Sequence, residues 1–236
     1  LKLAQLGEEF YAERRKGNNI GWHSYMTDYE SDELKKLLHS TPNKKIITFF
    51  TSTEDEFKAL QQDLPPIGPL SEQINAINVV KKICDQFGFK FLLRLHPNLS
   101  TRNSNERNKY PFEDYVIEPN DKVSSYALIK SSFAVFTHNS QIALESVALK
   151  TPAAYTGRTR FEDLPSVSKC RNENDIKSFL IKPVLTEENF QSCLFFGAYL
   201  QSFGIDYKYY KAKELNKGFY RGVNLNIPFG RFYYKD

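Results

Sequence analysis

The stretch FAVFTHNSQIALESVALKTPAAY, residues 133–155, decides the fold. Its opening run, FAVF, is too short for a helix and is bounded by turn residues, which predicts a buried strand. A polar elbow, THNS, comes next, then a helical pattern, QIALESVALK, then a second buried strand, PAAY. Ser140 is placed to cap the helix, its hydroxyl accepting from a backbone N–H two or three residues on. The other unpaired N–H groups at the helix start then face the elbow. A helix start beyond the carboxyl end of a parallel strand suits an anion, commonly a phosphate. Glu145, in the second turn, is near enough to reach a sugar hydroxyl beside that phosphate. The plainer alternative is an ordinary strand–helix–strand crossover with a solvated glutamate.

Working outward, the same alternation recurs. KKIITFFTSTEDEF puts a buried strand at Ile46–Phe50 ahead of a Ser/Thr-rich, acidic loop. SEQINAINVVKKICDQFG predicts a helix, with Ile74, Ile77, Val80 and Cys84 at helical spacing and Gly88 as its C-terminal cap. FKFLLRLHP is a strand stopped by Pro97, which cannot continue a central ladder. DYVIEP predicts a further strand and KVSSYALIKSS a helix. Strands alternating with helices imply crossover connections and a parallel sheet covered on both faces, a Rossmann-like α/β fold. Ligands on such sheets bind at the carboxyl ends of strands. Three polar loops, residues 51–56, 96–98 and 137–140, are expected to converge there and to form a small-molecule site for a phosphorylated ligand.

The flanks divide the chain. Residues 1–45 are expected to be a helical lead-in or linker, with one helix over residues 3–15 and another capped by Ser31. His23 and His39 are read as surface or packing residues. Residues 46–205 are expected to form the Rossmann-like ligand-binding domain, ending in TEENFQSCLFFGAYLQSFG, an amphipathic helix from the cap Thr186 to Gly204. Residues 206–236 are basic and aromatic. They are expected to pack on the domain, with a membrane interface and base stacking on nucleic acid as the alternatives.

Composition narrows the classes. With 236 residues, 41% of them hydrophobic, the chain buries a sizeable core, and no apolar run approaches the roughly 20 residues that span a bilayer. The first residues are too charged for a signal peptide, and a start at Leu rather than Met suggests a piece of a longer protein. Cys84, Cys170 and Cys193 form neither a CxxC pair nor a zinc-ligand spacing, which favours a reducing compartment. A net charge of +4 suits an anionic ligand or an acidic membrane surface more than nucleic acid.

His96, fixed by Pro97 at a strand end, can donate to a phosphate oxygen and stabilise a leaving group. Arg94 projects to the same side of its strand and either adds a charge-assisted contact or forms a salt bridge across the sheet. FFTSTEDEF, RLHPN, the SSYALIKSS helix and THNSQIALESVALKTPAAY, in this order and spacing, resemble bacterial capsule and lipopolysaccharide glycosyltransferases over roughly residues 45–160. The nearest resemblance is to capsule polysaccharide biosynthesis proteins, including Kdo (3-deoxy-manno-octulosonic acid) transferases, and more remotely to the HP-motif sialyltransferases.

That resemblance implies the C-terminal, donor-binding half of a GT-B enzyme, made of two facing Rossmann-like domains, with a CMP-linked sugar as donor. His96 and Pro97 match the His-Pro motif and would address the donor phosphate. Asn139 and Ser140 match the elbow, where many relatives have Ser-Thr, and His138 beside them is read as a second polar lining residue or simply a loop histidine. Glu145 matches the residue that binds the ribose, and Ser52 a position near the phosphate or the transferred sugar. Glu54, Asp55 and Glu56 are the clustered carboxylates near the expected site, either acid or base groups or simply a solvated loop.

The implied activity is metal-independent transfer from a nucleotide-activated donor to a growing cell-surface polysaccharide, the acceptor being a glycan or glycolipid. It needs no cofactor and no nucleic acid, and it places the protein in the cytoplasm at the inner face of the membrane. No DxD pair stands in a loop, and a zinc site from His96 and His138 lacks a third ligand nearby. Two other readings stay open: a catalytically silent nucleotide-sugar-binding or assembly module, and a nucleotide-sugar epimerase or hydrolase on the same scaffold.

Overall fold

Strand β1 (Ile46–Phe50) is buried at every position and pairs on both sides. It is the middle of the molecule in a computed structural model that describes residues 2–18, 20, 27–29, 31–39, 43–53, 64–100, 108–110, 116–204, 207–214 and 217–225. On one side lie β2 (Lys90–Arg94) and β3 (Val116–Ile117); on the other lie β4 (Ala134–Thr137), β5 (Ala153–Tyr155) and β6 (Ser168–Lys169). All pairings are parallel, in the order β3-β2-β1-β4-β5-β6. This is the order of a doubly wound sheet, with its switch point between β1 and β4. The Rossmann-like α/β architecture expected from the alternating pattern is the one observed.

The strands build two cores because successive side chains point to opposite faces. Ile46, Phe50, Leu92, Val135, Ala153 and Tyr155 belong to one apolar cluster. Ile47, Phe49, Phe91, Leu93, Phe136 and Ala154 belong to the other. Helix α3 (Gln73–Phe87) covers the second face with Ile77, Val80 and Cys84, all fully buried, and α6 (Glu173–Ile181) adds Ile176 and Leu180. Gly88 ends α3 in the left-handed conformation (φ 68°), its N–H returning to the Cys84 and Asp85 carbonyls.

The first face takes α2 (Asp32–His39), α4 (Ser125–Ser131), α5 (Ile142–Ala148) and α7 (Glu187–Ser202). Ser31, Ser124 and Thr186 each accept from a backbone N–H three residues on, and the Asn189 side chain completes a capping box with Thr186. The cysteines Cys84, Cys170 and Cys193 are free and buried, and burial pushes each thiol up to about 12.

Helix α1 (Lys2–Arg15) lies along α7. Phe10 and Tyr11 are buried there with their rings edge to face, and the Tyr11 hydroxyl donates to the Cys193 carbonyl at 3.2 Å. The two helices meet at glycines. A Cβ on Gly7 would lie 2.1 Å from the Leu194 carbonyl oxygen, and one on Gly197 would lie 2.7 Å from the Tyr11 ring.

Two features have no counterpart in the sequence reading. The short edge strand β6 lies in a stretch to which the sequence assigns no element. Beyond α7, β7 (Tyr210–Glu214), β8 (Lys217–Tyr220) and β9 (Val223–Asn224) form a separate antiparallel sheet. Its β8–β9 turn has two residues of positive φ, Arg221 at 47° and Gly222 at 83°, the pattern of a two-residue hairpin turn matched to strand twist. No described helix is long and apolar enough to cross a membrane.

Gly7→Ala should therefore destabilise the fold by about 2 kcal/mol or more, because backbone atoms of Leu194 cannot step aside as a flexible side chain would. A lowered urea midpoint with an unchanged slope is the expected result.

Candidate functional site

The carboxyl ends of β1 and β4 lie side by side where the strand order reverses, so the loops that leave them form the crevice. After β1 the chain runs through Thr51, Ser52 and Thr53, all buried. The Thr51 N–H donates to the Arg94 carbonyl at 3.0 Å, and the Thr51 hydroxyl accepts from the His96 N–H at 2.9 Å. The first two polar loops are thus tied directly to each other.

Gln73, the first residue of α3, holds Ser52 as a neighbouring strand would. Its Oε1 accepts from the Ser52 N–H at 2.8 Å, and its Nε2 donates to the Ser52 carbonyl at 2.9 Å and to the Tyr110 hydroxyl at 2.6 Å. The backbone of Ser52 is satisfied, but its side chain is not. Ser52 Oγ and Thr53 Oγ1 are buried with no hydrogen-bond partner among the described residues. Gln141 Oε1, on the elbow after β4, is in the same condition. Buried polar atoms are rarely left unpaired, and each one so left calls for an explanation such as a ligand.

His96 is half-buried, and its Nδ1 accepts from the Asn98 N–H at 3.2 Å, with Pro97 opening a short 3-10 turn between them (Pro97–Ser100). An Nδ1 that accepts leaves Nε2 as the protonated nitrogen, a donor suited to a phosphate oxygen. Arg94 goes elsewhere. Its guanidinium is buried and donates to the Glu118 carbonyl beyond β3, and burial lowers its pKa. Arg94 is thus engaged with a buried backbone carbonyl beyond the neighbouring strand.

His138 is fully buried beneath the elbow. Its Nδ1 lies 3.0 Å from the Thr156 hydroxyl, and its ring packs on Gly157, where a Cβ would come within 2.7 Å of Nε2. Burial chiefly, with help from the Arg171 guanidinium, lowers its pKa from 6.5 to about 4. Arg171 itself donates to the Thr156 and Gly157 carbonyls, both at 2.7 Å, and so pins the loop after β5. A neutral His138 therefore props the elbow from below, a supporting position and not the lining one expected of it.

Asn139 and Ser140 stand half-buried on the elbow, and Ser140 Oγ accepts from the Ile142 N–H at 3.3 Å, although the cap position of α5 falls on Gln141, whose side chain makes no cap bond. Helix α5 starts at Ile142 and has seven residues, so Glu145 falls in its first turn instead of its second. Glu145 turns to α1. Its Oε1 accepts from Arg14 Nε at 2.7 Å, both side chains being about 4% exposed. It lines a pocket of about 400 Å³ between α1, α5 and α7, together with Arg15, Tyr126 and Phe190. The loop carrying Ser52 and Thr53 is thus tied through Thr51 to the backbone of His96, whereas Arg94 and Glu145 turn to other partners. Glu54, Asp55 and Glu56, as well as His23, lie outside the described residues.

Thr53, Gln73 and Gln141 were not singled out in the sequence. The signal for Thr53 was the Ser/Thr run after β1, whereas Gln73 and Gln141 look like ordinary helix-start residues until their partners are known. Among the described residues no group of three His, Cys, Asp or Glu is placed to hold a metal ion.

No family model matches the chain, and no curated protein matches its sequence. Solved structures do share its architecture. The Thermosulfurimonas dismutans KpsC β-Kdo 2,4 transferase is 12% identical, with a TM-score of 0.52 over 84% of this chain and 55% of that one. The KpsC β-Kdo 2,7 transferase of the same organism is 14% identical, with a TM-score of 0.44 over 83% and 53%. A Staphylococcus aureus MnaA–UDP structure is 17% identical, with a TM-score of 0.43 over 71% and 43%. The fold is a Rossmann-like domain consistent with the donor-binding half of a GT-B enzyme. The chain spans about half the length of these structures.

Burial of a neutral His138 has a pH signature. The unfolded imidazole takes up its proton near 6.5, the folded one only near 4. Between these values the unfolded chain binds more protons, so stability should be full above about pH 6.5 and fall as the pH drops toward 4. The loss from this group is about 3 kcal/mol. Urea titrations across that window should show the fall, and a His138→Gln variant should show a flatter profile.

Proposed function

We propose that this chain is the donor-binding portion of a metal-independent GT-B glycosyltransferase that takes a sugar from a nucleotide-activated, CMP-linked donor. The acceptor is a glycan or glycolipid end of a growing cell-surface polysaccharide, and the reaction belongs to the cytoplasm. The observation that carries this reading is the pair of buried hydroxyls of Ser52 and Thr53, without partners among the described residues, in a loop that Thr51 ties to the His96 backbone. Hydroxyls and an Nε2–H donor held by backbone make a preorganised cradle for phosphate oxygens.

In this reading His96 donates through Nε2 to the phosphate as the glycosidic bond breaks and charge builds on the departing nucleotide. Ser52 and Thr53 donate to the same group. Because Thr51 holds the His96 backbone and Gln73 holds the Ser52 backbone, little reorganisation accompanies that charge. Asn139 and Ser140 border the donor from the elbow. Glu54 and Asp55, directly after Thr53 in the chain, are the proposed acid or base groups.

Calorimetric titration with CMP, UDP, GDP and ADP, without and with Mg²⁺, tests the reading. Metal-independent binding of CMP alone is expected. Preference for UDP or GDP would keep a nucleotide-sugar site and discard the CMP donor, and binding of none would remove the reading for this portion of the protein. His96→Ala should weaken the preferred nucleotide by about 1–3 kcal/mol with little effect on folding.

Thr53→Val separates a ligand site from a structural one. Deleting an unsatisfied buried hydroxyl should leave the free protein as stable or about 1 kcal/mol more stable. The same change should weaken nucleotide binding. Lower stability with unchanged affinity would assign Thr53 to the fold and not to the site.

A further inference from the structure

The net charge of this chain sits at one end. Residues 206–236 hold seven Lys or Arg against three Asp or Glu, a net of +4, which is the formal net charge of all 236 residues. Residues 1–205 are therefore balanced. The described part of this basic end is the antiparallel sheet β7–β9, separate from the parallel sheet.

Its register sorts the side chains. Tyr210 is opposite Tyr220, and Tyr220 is opposite Val223, so these three share a face. Leu225, whose N–H donates to the Gly218 carbonyl, is two residues past Val223 and returns to that face. Tyr220, Val223 and Leu225 are 47%, 60% and 52% exposed, an apolar sheet face with no cover among the described residues. Around it lie exposed cations. The Arg221 guanidinium is 4.6 Å from the Tyr209 ring centre and 5.6 Å from that of Tyr220, and Lys208 Nζ is 5.2 Å from Tyr209. Lys211, opposite Phe219 and so on the sheet's other face, is exposed as well.

We propose that β7–β9 dock the protein peripherally on an anionic bilayer surface. The tyrosines, with apolar rings and polar tips, match the headgroup layer, and the cations match its charge. Val223 and Leu225 decide against a nucleic acid. Rings and cations serve a polyanion, but exposed aliphatic side chains gain nothing from one, whereas the headgroup–acyl boundary buries them. The assignment uses none of the crevice residues, so it stands or falls apart from the nucleotide reading.

Vesicle sedimentation of the full chain tests it, with pure phosphatidylcholine vesicles against vesicles containing roughly one third phosphatidylglycerol at about 0.1 M salt. The protein should pellet with the anionic vesicles only. Lys208→Gln, Lys211→Gln and Arg221→Gln together should weaken binding on the order of 100-fold, since each basic residue near such a surface contributes several-fold. Tyr220→Ser, Val223→Ser and Leu225→Ser together should weaken it at least about tenfold while leaving the salt dependence in place. Unchanged circular dichroism in both variants keeps the comparison clean, because the altered side chains are exposed. Absence of pelleting, equal pelleting of the variants, or tighter binding to a single-stranded oligonucleotide would overturn the proposal. A dimer in solution that the serine variant dissolves would overturn it too, by giving the face to a second copy.

Discussion

The pairing of β1 with strands on both sides is the constraint from which the rest follows. A five-residue strand without a free edge, buried on both faces, has to be apolar throughout, and IITFF meets that with one exception. The exception, Thr48, is satisfied by the Ser132 hydroxyl at 2.7 Å. Because every strand runs parallel, each connection must cross over the sheet, and helices are thereby placed on both faces. The carboxyl ends of β1 and β4 are left uncovered by crossovers because the winding reverses between them. The crevice is thus a by-product of topology, available before any functional residue is chosen.

What fills the crevice is a matter of hydrogen-bond satisfaction. Around it the backbone is tied down closely: Thr51 to His96, Gln73 to Ser52, Arg171 to Thr156 and Gly157. Beneath the elbow His138 Nδ1 meets the Thr156 hydroxyl. Against that background the hydroxyls of Ser52 and Thr53 have no partner among the described residues, and a folded protein otherwise loses stability by burying such atoms. A rigid frame carrying a few unsatisfied donors is the arrangement expected of a site whose partner arrives from outside.

The Arg14–Glu145 pair shows the limit of a local reading. Glu145 was expected to face a ribose, on a spacing that any strand–helix crossover shares. In the structure its carboxylate meets a guanidinium from α1, 131 residues away in sequence. A buried pair of this kind is costly to form and costlier to break, so its role is to hold α1 and α5 in one arrangement. The same contact draws residues 2–15 into the core of the domain, where Gly7 and Gly197 let α1 and α7 approach closely.

Most of the architecture was legible in the sequence because burial has a local period. Alternate faces along Ile46–Phe50, helical spacing of Ile77, Val80 and Cys84, and caps at Ser31, Thr186 and Gly88 all rest on neighbours a few residues apart. The C-terminal sheet escaped because its turn uses Arg221 and Gly222, not the Asn-Gly or Asp-Gly pair that announces a hairpin, and aromatic-basic strands lack a clean alternation. The sequence by itself determined a doubly wound α/β domain with polar loops at the ends of its strands. Only the tertiary structure decided that Arg94 turns to the Glu118 carbonyl, that His138 is buried and neutral, and that the Ser52 and Thr53 hydroxyls are left without partners among the described residues. The reason is physical: secondary structure follows from contacts within a few residues, whereas the partner of a polar side chain is set by whatever the completed fold brings beside it.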